Sequence, residues 1–535
     1  MNPPVMRRRV AALATALLLF CAAPIAQAPA AGPPDLDAWV KRAMSVFEVP
    51  GLALTVVKDG SVIAAKGYGV RKLGEPAAVD SQTLFGIASN TKAFTATALG
   101  LLVEEGKIRW DAPVIDYLPW FQMSDAYVTR EMTVRDLLVH RSGLGLGAGD
   151  LLWWPSSTYN RHEIARRLRY IPLATSFRSA YAYDNVLYLV AGEVIEAVSG
   201  QSWEDFVASR ILAKVGMRHS NVRHSAATQG GNVATPHARV DGRVRAIAPF
   251  DSDNTNPAGG INSCADDMAP WLITELREGQ LPDGSRLFSR ETARQLTTVV
   301  TPMPIDEGPP ELRDVRPSFN GYGLGLVLRD YRGRKLVTHT GGLPGYVSKV
   351  AMIPDLRLGI AILTNQESGA AFESIANHIL DYYLGAPTTD WIAAYQAIVK
   401  RERAKSASTE QTSAQARDAQ SKPSLPVEKY AGKYRDQWYG DITIAATNGG
   451  LTIQFDKTPA LTGALEPWQH DTFVAKWKDR DLRADAFMTF SLDPDGRIDN
   501  AKMRAVSPDT DFSFDFQDLL LRPVNPPKPA KPQEK

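Results

Sequence analysis

Residues 401–424 are rich in Ala, Ser, Gln, Lys and Glu and contain no aromatic side chain, and they divide the chain into two parts of different pattern. A stretch of that composition cannot build a core of its own, so it reads as a linker, helical at its start and flexible later. The whole chain has 535 residues. At about one domain per 100–200 residues that implies two to four units, so a linker is expected.

Before the linker, the β-rich runs 52–57 and 62–68 flank Lys58-Asp59-Gly60, which is hairpin spacing. The period then changes. Phe94, Ala98, Leu101 and Leu102 give a helix with one apolar face that ends near Gly106. A mixed, mostly helical stretch follows to about residue 275, including 134–140 and 183–199, the latter closed by Gly200. Short apolar runs return at 336–340, 346–353 and 358–364, broken by Gly341-Gly342, Leu343-Pro344-Gly345 and Pro354-Asp355, and 370–384 reads as a helix. The pattern is α+β, an antiparallel sheet built from both ends of the domain and flanked by helices, with a large helical insertion between. After the linker, 441–446, 451–455, 472–477, 487–492 and 501–506 are short alternating segments, with turn chemistry at Asn448-Gly449 and Pro494-Asp495-Gly496. They are expected to form a small antiparallel β-barrel or sandwich, with the barrel preferred. The division expected is 1–30 export signal, 31–400 first domain, 401–424 linker, 425–523 barrel and 524–535 disordered tail.

Arg7, Arg8 and Arg9 precede an apolar run at 10–23 that is too short to span a bilayer comfortably, and Ala28-Pro29-Ala30 fits a cleavage site. The mature protein is therefore expected outside the cytoplasm, secreted or periplasmic, with no membrane span. Its charge is near balance, 57 bases against 59 acids once the first thirty residues are removed, which lacks the basic footprint of a nucleic-acid binder. With Cys21 in the signal, Cys264 stands alone and reads as a small buried residue. No H-E-x-x-H or C-x-x-C spacing gives a reason to propose a metal or cofactor.

The chemistry centres on Ser89-Asn90-Thr91-Lys92, at the entry to a helix. Residues i and i+3 share a helix face. The N-terminus also offers free N–H groups to developing negative charge. A serine hydroxyl needs a base, and a lysine can be that base if its pKa is depressed. Alone, S-x-x-K is weak evidence. Two more elements change this: Tyr183-Asp184-Asn185, and His339-Thr340-Gly341-Gly342 at the end of a predicted strand.

In this order and spacing, the three elements resemble those of the penicillin-recognising serine hydrolases. The nearest branch holds class C β-lactamases, D-Ala-D-Ala carboxypeptidases and D-aminopeptidases, whose pattern is S-x-x-K, Y-x-N and K-T-G or H-x-G. Leu137-Leu138-Val139-His140-Arg141-Ser142-Gly143-Leu144 and Pro257-Ala258-Gly259-Gly260-Ile261-Asn262-Ser263 resemble further family segments, and the likeness covers about 36–385. The resemblance implies that Ser89 forms an acyl-enzyme. Lys92 is then the base, or holds Tyr183 as the base, and Tyr183 relays a proton to the leaving group. Asn185 orients Lys92 and bonds the substrate amide, and the N–H groups of Ser89 and Gly342 form the oxyanion hole. His339, Thr340, Gly341 and Gly342 line the substrate, with glycine permitting close approach.

Histidine at 339, only partly charged near neutral pH, resembles the family's peptidases and favours amide hydrolysis of D-amino-acid-containing peptides. Carboxylesterase or β-lactamase action on the same site, and an inactive cell-wall-binding protein, are the alternatives. The expected partner is a small peptide, amide or ester, and oligomerisation is open. Asp184 pairs with a base or is a solvated turn residue. Trp153, Trp154 and Tyr159 line a cleft or, more in keeping with their type, pack the insertion. The later module resembles the lipocalin-like domain appended to some members, with Trp438, Tyr439, Trp468 and Trp477 read as core rather than ligand pocket.

Overall fold

The structure is a computed structural model that describes residues 31–524 except 448 and 449. The expected export signal, the turn expected at Asn448-Gly449 and all but the first residue of the expected disordered tail lie outside the described residues. Among those described, no helix is long and apolar enough to cross a membrane.

The first sheet joins the two ends of its domain, as the pattern of apolar runs implies. Its strands are β1 (Gly51–Lys58), β2 (Ser61–Gly69), β3 (Thr301–Pro302), β4 (Asn320–Tyr322), β5 (Val327–Tyr331), β6 (Arg334–Leu343), β7 (Tyr346–Ile353) and β8 (Leu358–Thr364). They lie in the order β2-β1-β8-β7-β6-β5-β4-β3, antiparallel throughout. β1 pairs with β8 from Leu52 opposite Thr364 to Lys58 opposite Leu358, which brings residues 300 positions apart into one ladder. Both strands are buried along their whole length, so they read as continuous apolar runs rather than alternating ones. Helices α1 (Leu36–Phe47), α5 (Gly369–Leu384) and the start of α6 (Trp391–Gln415) cover one face through Trp39, Val40, Ile375, Ile379 and Trp391. Helices α2 (Thr91–Glu104), α3 (Val186–Ser199) and α4 (Ala265–Leu276) belong to the apolar cluster on the other face.

Several local expectations change. α2 is buried along residues 91–102, so it has no polar face, because the sheet and the insertion enclose it. The 134–140 segment forms only a 3₁₀ turn at Asp136–Leu138. Gly341-Gly342 does not break the strand; β6 runs through both to Leu343. The helical start expected at 401–424 is present: residues 401–415 continue α6, since a run of Ala, Lys, Glu and Gln without Gly or Pro favours helix. Only Trp391 and Ile392 of that helix are buried, and its exposed length is tied down by Arg401 to Glu311 and Ser406 to Asp509.

The second unit is an eight-stranded, nearly closed barrel of β9 (Gly432–Asp436), β10 (Gly440–Thr447), β11 (Gly450–Phe455), β12 (Thr458–Gln469), β13 (Thr472–Trp477), β14 (Ala486–Leu492), β15 (Ile498–Ala505) and β16 (Arg522–Pro523). Neighbours in sequence pair antiparallel, β16 pairs with β9, and paired backbone bonds between Ala501 and Leu521 bring the ends together. The sequence pattern misses β12, whose Pro467 reads as a breaker. The strand absorbs that proline at a register shift toward Gln469. Trp438, Tyr439 and Trp477 are buried core, as their type suggested, but Trp468 is only partly buried, lying near the barrel surface between Phe487 and the Arg417 guanidinium.

The barrel shares a continuous apolar cluster with the helical insertion. Thr158 N–H donates to Lys457 O at 2.8 Å, Arg167 donates to Trp438 O at 2.7 Å, and the Tyr159 phenol donates to Tyr439 O. Tyr159 is therefore a joint between the two units, not a cleft residue. From the barrel, Asp515 accepts the Gly149 N–H at 2.7 Å and the Leu151 N–H at 3.0 Å, and all of this is buried. Asp515→Ala should orphan both amides at about 1–3 kcal/mol each. The measurement is the midpoint of urea unfolding, which should fall in the full chain.

Candidate active site

Three segments converge on one amine. The nucleophile turn begins with a backbone that is hard to adopt: Ala88 has φ +49°, a left-handed conformation that costs a residue with a Cβ about 1–3 kcal/mol. A 3₁₀ turn at Ala88–Asn90 follows and runs directly into α2. Asn90 donates to Ser348 Oγ at 2.8 Å, and Ser348 donates to Ile87 O at 2.7 Å, which fastens the turn to β7. Gly341 on β6 is held to glycine by this same contact. A Cβ there would lie 2.3 Å from Ile87 O and 2.9 Å from Ala88 Cβ. The closeness expected between glycine and substrate is thus, at 341, closeness to the turn that carries Ser89. Gly342 has open space where its Cβ would be, and it lines the cleft.

Lys92 is fully buried. Its Nζ lies 3.0 Å from Ser89 Oγ, 2.8 Å from Asn185 Oδ1 and 3.0 Å from Ala258 O. The amine also sits 4.9 Å from the Tyr183 ring centre and 5.1 Å from that of Tyr188. Burial pushes its pKa down to about 7, opposed by the charges of Asp150 and Asp184. Burial raises the Tyr183 phenol well above its ordinary value, with contact to Ser89 working the other way. The two side chains expected to share the proton therefore differ widely in basicity.

Asn185 occupies the N-cap of α3 yet makes no capping bond with its side chain. Its Oδ1 faces Lys92 and its Nδ2 donates to Asp150 at 2.8 Å. Capping falls instead to Asp184, which accepts from Leu187 N–H at 3.4 Å and is buried against Ser142 and His140, so it is not a solvated turn residue.

His339 is uncharged. Its Nδ1 donates to Thr340 O at 2.6 Å, so its Nε2 accepts from the Tyr322 phenol at 2.8 Å. Burial, helped by the nearby Lys92 charge, drops its pKa to about 3. The partial charge expected at neutral pH is absent because the strand buries the ring against Tyr322. β5 pairs with β6 only as far as Thr338, so His339, Thr340, Gly341 and Gly342 have no strand partner on that edge.

Ser89, Tyr183, Asn185, His339, Thr340 and Gly342 line a cleft of about 370 Å³ together with Trp153, Trp154, Tyr181 and Phe512. Trp153 and Trp154 both pack and line it, being 6% and 7% exposed. Among its lining side chains Asp511 is the sole carboxylate, and no lysine or arginine joins it. Sequence reasoning missed Asp150, His140, His224 and the barrel residues 511–513. His224 lines the cleft with its Nε2 unpartnered, and burial lowers its pKa to about 4. Asp150 lies 35 positions before Asn185 in a loop with no motif, so only the fold places it. Cys264 is buried and its thiol is pushed up to about 12, which fits a structural residue.

Residues 36–383 match the family described as Beta-lactamase, and 416–523 match a domain of unknown function, DUF3471. The chain is similar to unguisins hydrolase ungD of Aspergillus violaceofuscus, 27% identical over 479 residues, which cover 82% of each chain. Its fold is similar to that of an octameric penicillin-binding protein homologue from Pyrococcus abyssi (TM-score 0.57, 22% identity, 91% of this chain and 99% of that one). It is also similar to that of a D-amino acid amidase from Ochrobactrum anthropi SV3 (TM-score 0.53, 21% identity, 65% and 98%). With a match over well more than half its length, and Ser89 and Tyr183 lining one cleft with the Lys92 amine buried against Ser89, the chain belongs to the β-lactamase family of serine hydrolases, with a DUF3471 barrel appended.

Proposed function

We propose that the protein cleaves amide bonds of D-amino-acid-containing peptides through an acyl-enzyme on Ser89, with Lys92 as general base. The observation that carries the reading is the set of partners around Nζ. Asn185 Oδ1 and Ala258 O can only accept, so they engage the two N–H bonds of a neutral amine. The remaining lone pair faces the Ser89 hydroxyl at 3.0 Å. As Oγ bonds to the carbonyl carbon, its proton passes to Nζ. The N–H groups of Ser89 and Gly342 take the oxyanion, each donor being worth about 10²–10³ in rate. Collapse breaks the C–N bond, and the leaving amine takes a proton delivered by Lys92 through the Tyr183 phenol. Water then attacks the acyl-enzyme with Lys92 again as base.

The substrate class follows from charge. A neutral His339 offers no cation to a substrate carboxylate, and Asp511 repels one. Apolar and aromatic walls favour uncharged, bulky acyl groups. This supports amides and blocked peptides over substrates bearing a carboxylate near the scissile bond. Histidine at 339 resembles the family's D-specific peptidases, and a relative is named a hydrolase of unguisins, which supports hydrolysis as the reaction. Export out of the cytoplasm is proposed on the strength of Arg7, Arg8, Arg9 and the apolar run after them.

Four measurements test this. A fluorophosphonate should add mass at Ser89, and Ser89→Ala should take none. Lys92→Met should lower kcat/KM by about 10²–10⁴-fold. An adduct that persists in Ser89→Ala contradicts the reading. For wild type, kcat/KM should rise with pH through about 7, because Lys92 must lose a proton to act. A profile flat from pH 5 to 9 would remove Lys92 from the base role (about two units either side of that value). Finally, D-phenylalanyl-glycinamide should exceed D-phenylalanyl-glycine, which carries a free carboxylate next to the scissile amide, by about 10–100-fold in kcat/KM for release of D-phenylalanine, the cost of an unpaired charge. Equal rates would exclude this substrate assignment.

A further inference from the structure

The barrel reaches the catalytic amine through a chain of hydrogen bonds. Ser513 Oγ donates to Asp150 Oδ2 at 2.9 Å. The same oxygen accepts from Asn185 Nδ2 at 2.8 Å, while Trp153 Nε1 donates to Oδ1 at 2.9 Å. Asn185 Oδ1 then accepts from Lys92. Ser513, Asp150 and Asn185 are all buried. The segment that carries Ser513 is itself seated by Asp515, whose carboxylate holds the amides on both sides of Asp150.

An asparagine amide can flip, and the two orientations differ sharply here. With Oδ1 toward Nζ, the lone pair of the amine stays free for Ser89. With Nδ2 toward Nζ, that amide would compete with Ser89 for the lone pair. Asp150 is what selects between them, because a carboxylate accepts from Nδ2 and repels Oδ1.

We propose that Asp150 and Ser513 are positioning residues for the catalytic lysine, so that the appended barrel supplies part of the machinery that activates Ser89. The proposal rests on Lys92 serving as base. Asp150 sets the Asn185 orientation and its charge stabilises the protonated amine; Ser513 keeps Asp150 in place and ionised. Burial raises the Asp150 carboxyl to about 7, and Ser513, Asn185 and Trp153 oppose that rise. The groups facing Lys92 are Asp150 and Asp184, which favour its charge, His339, uncharged from burial, and His140, whose pKa burial lowers against the pull of Asp184, beside the Tyr183 and Tyr188 rings. Asp150 faces Lys92, Asp515 and Tyr183.

The test is the pH dependence of fluorophosphonate labelling at Ser89 in the full chain, which needs no knowledge of the substrate. Asp150→Asn removes a negative charge near the amine, so the amine loses its proton more easily. The acidic limb should move to lower pH by about one unit, the scale for one nearby charge. Ser513→Ala leaves Asp150 one donor short, so the carboxyl keeps its proton to higher pH and withholds its charge. The limb should move in the same direction by less, and Ser513→Thr should restore it. A merely structural role would slow labelling equally at every pH and leave the limb in place, which overturns the proposal, as does wild-type behaviour in both Asp150→Asn and Ser513→Ala. Should Ser513→Ala fail to fold, the limb in Asp150→Asn decides alone. Wild type that takes no label at Ser89 overturns the proposed function as well, whereas wild-type labelling with an unmoved limb in the variants overturns only the role of Asp150 and Ser513.

Discussion

Everything in this site depends on keeping one lysine amine out of water. Ser89 cannot attack until its proton has somewhere to go, and Lys92 can take it only in its neutral form. Burial disfavours the ammonium, and the fold achieves that burial by enclosing α2 along residues 91–102. Two acceptors that cannot donate, Asn185 Oδ1 and Ala258 O, then orient what remains of the amine. The opposing pull comes from Asp150 and Asp184, whose charges keep the pKa at about 7 rather than lower. A base poised there is useful near neutral pH.

The rest of the molecule serves that arrangement from a distance. The ladder between β1 and β8 closes the sheet from opposite ends of the domain, and β6 and β7 present the edge that meets the Ser89 turn. Gly341 is the tightest point of that meeting. The insertion contributes Tyr183, Asn185 and Ala258 as a second wall. The barrel is not a separate attachment. It extends the same apolar cluster and inserts residues 511–515 beside the catalytic loop.

The contacts that matter differ in how visible they are in the sequence. Ser89 and Lys92 are legible because a helix fixes the spacing of i and i+3, and the hairpin, the late strands and most barrel strands are legible because their period is local. The state of His339 is not, since its neutrality comes from burial under distant segments, among them Tyr322, 17 residues away on another strand. Nor is the use of Asn185: a residue at a helix N-terminus invites a capping role, and only Lys92 and Asp150 on other segments reveal that its side chain is committed elsewhere. Asp150 and Ser513 are 363 positions apart and carry no motif. Composition also misleads where burial is decided by neighbours. α2 is enclosed on every side despite its threonines. The helical start expected of the 401–424 stretch is present as far as Gln415, because its residues favour helix even when exposed.

Neutron diffraction from crystals held at about pH 8, above the value to which burial lowers this amine, tests the central claim most directly. The account predicts two deuterons on Lys92 Nζ, directed at Asn185 Oδ1 and Ala258 O, with the deuteron of Ser89 Oγ pointing back at Nζ. Three deuterons on Nζ, one of them directed at Ser89 Oγ, would show a charged lysine and contradict it.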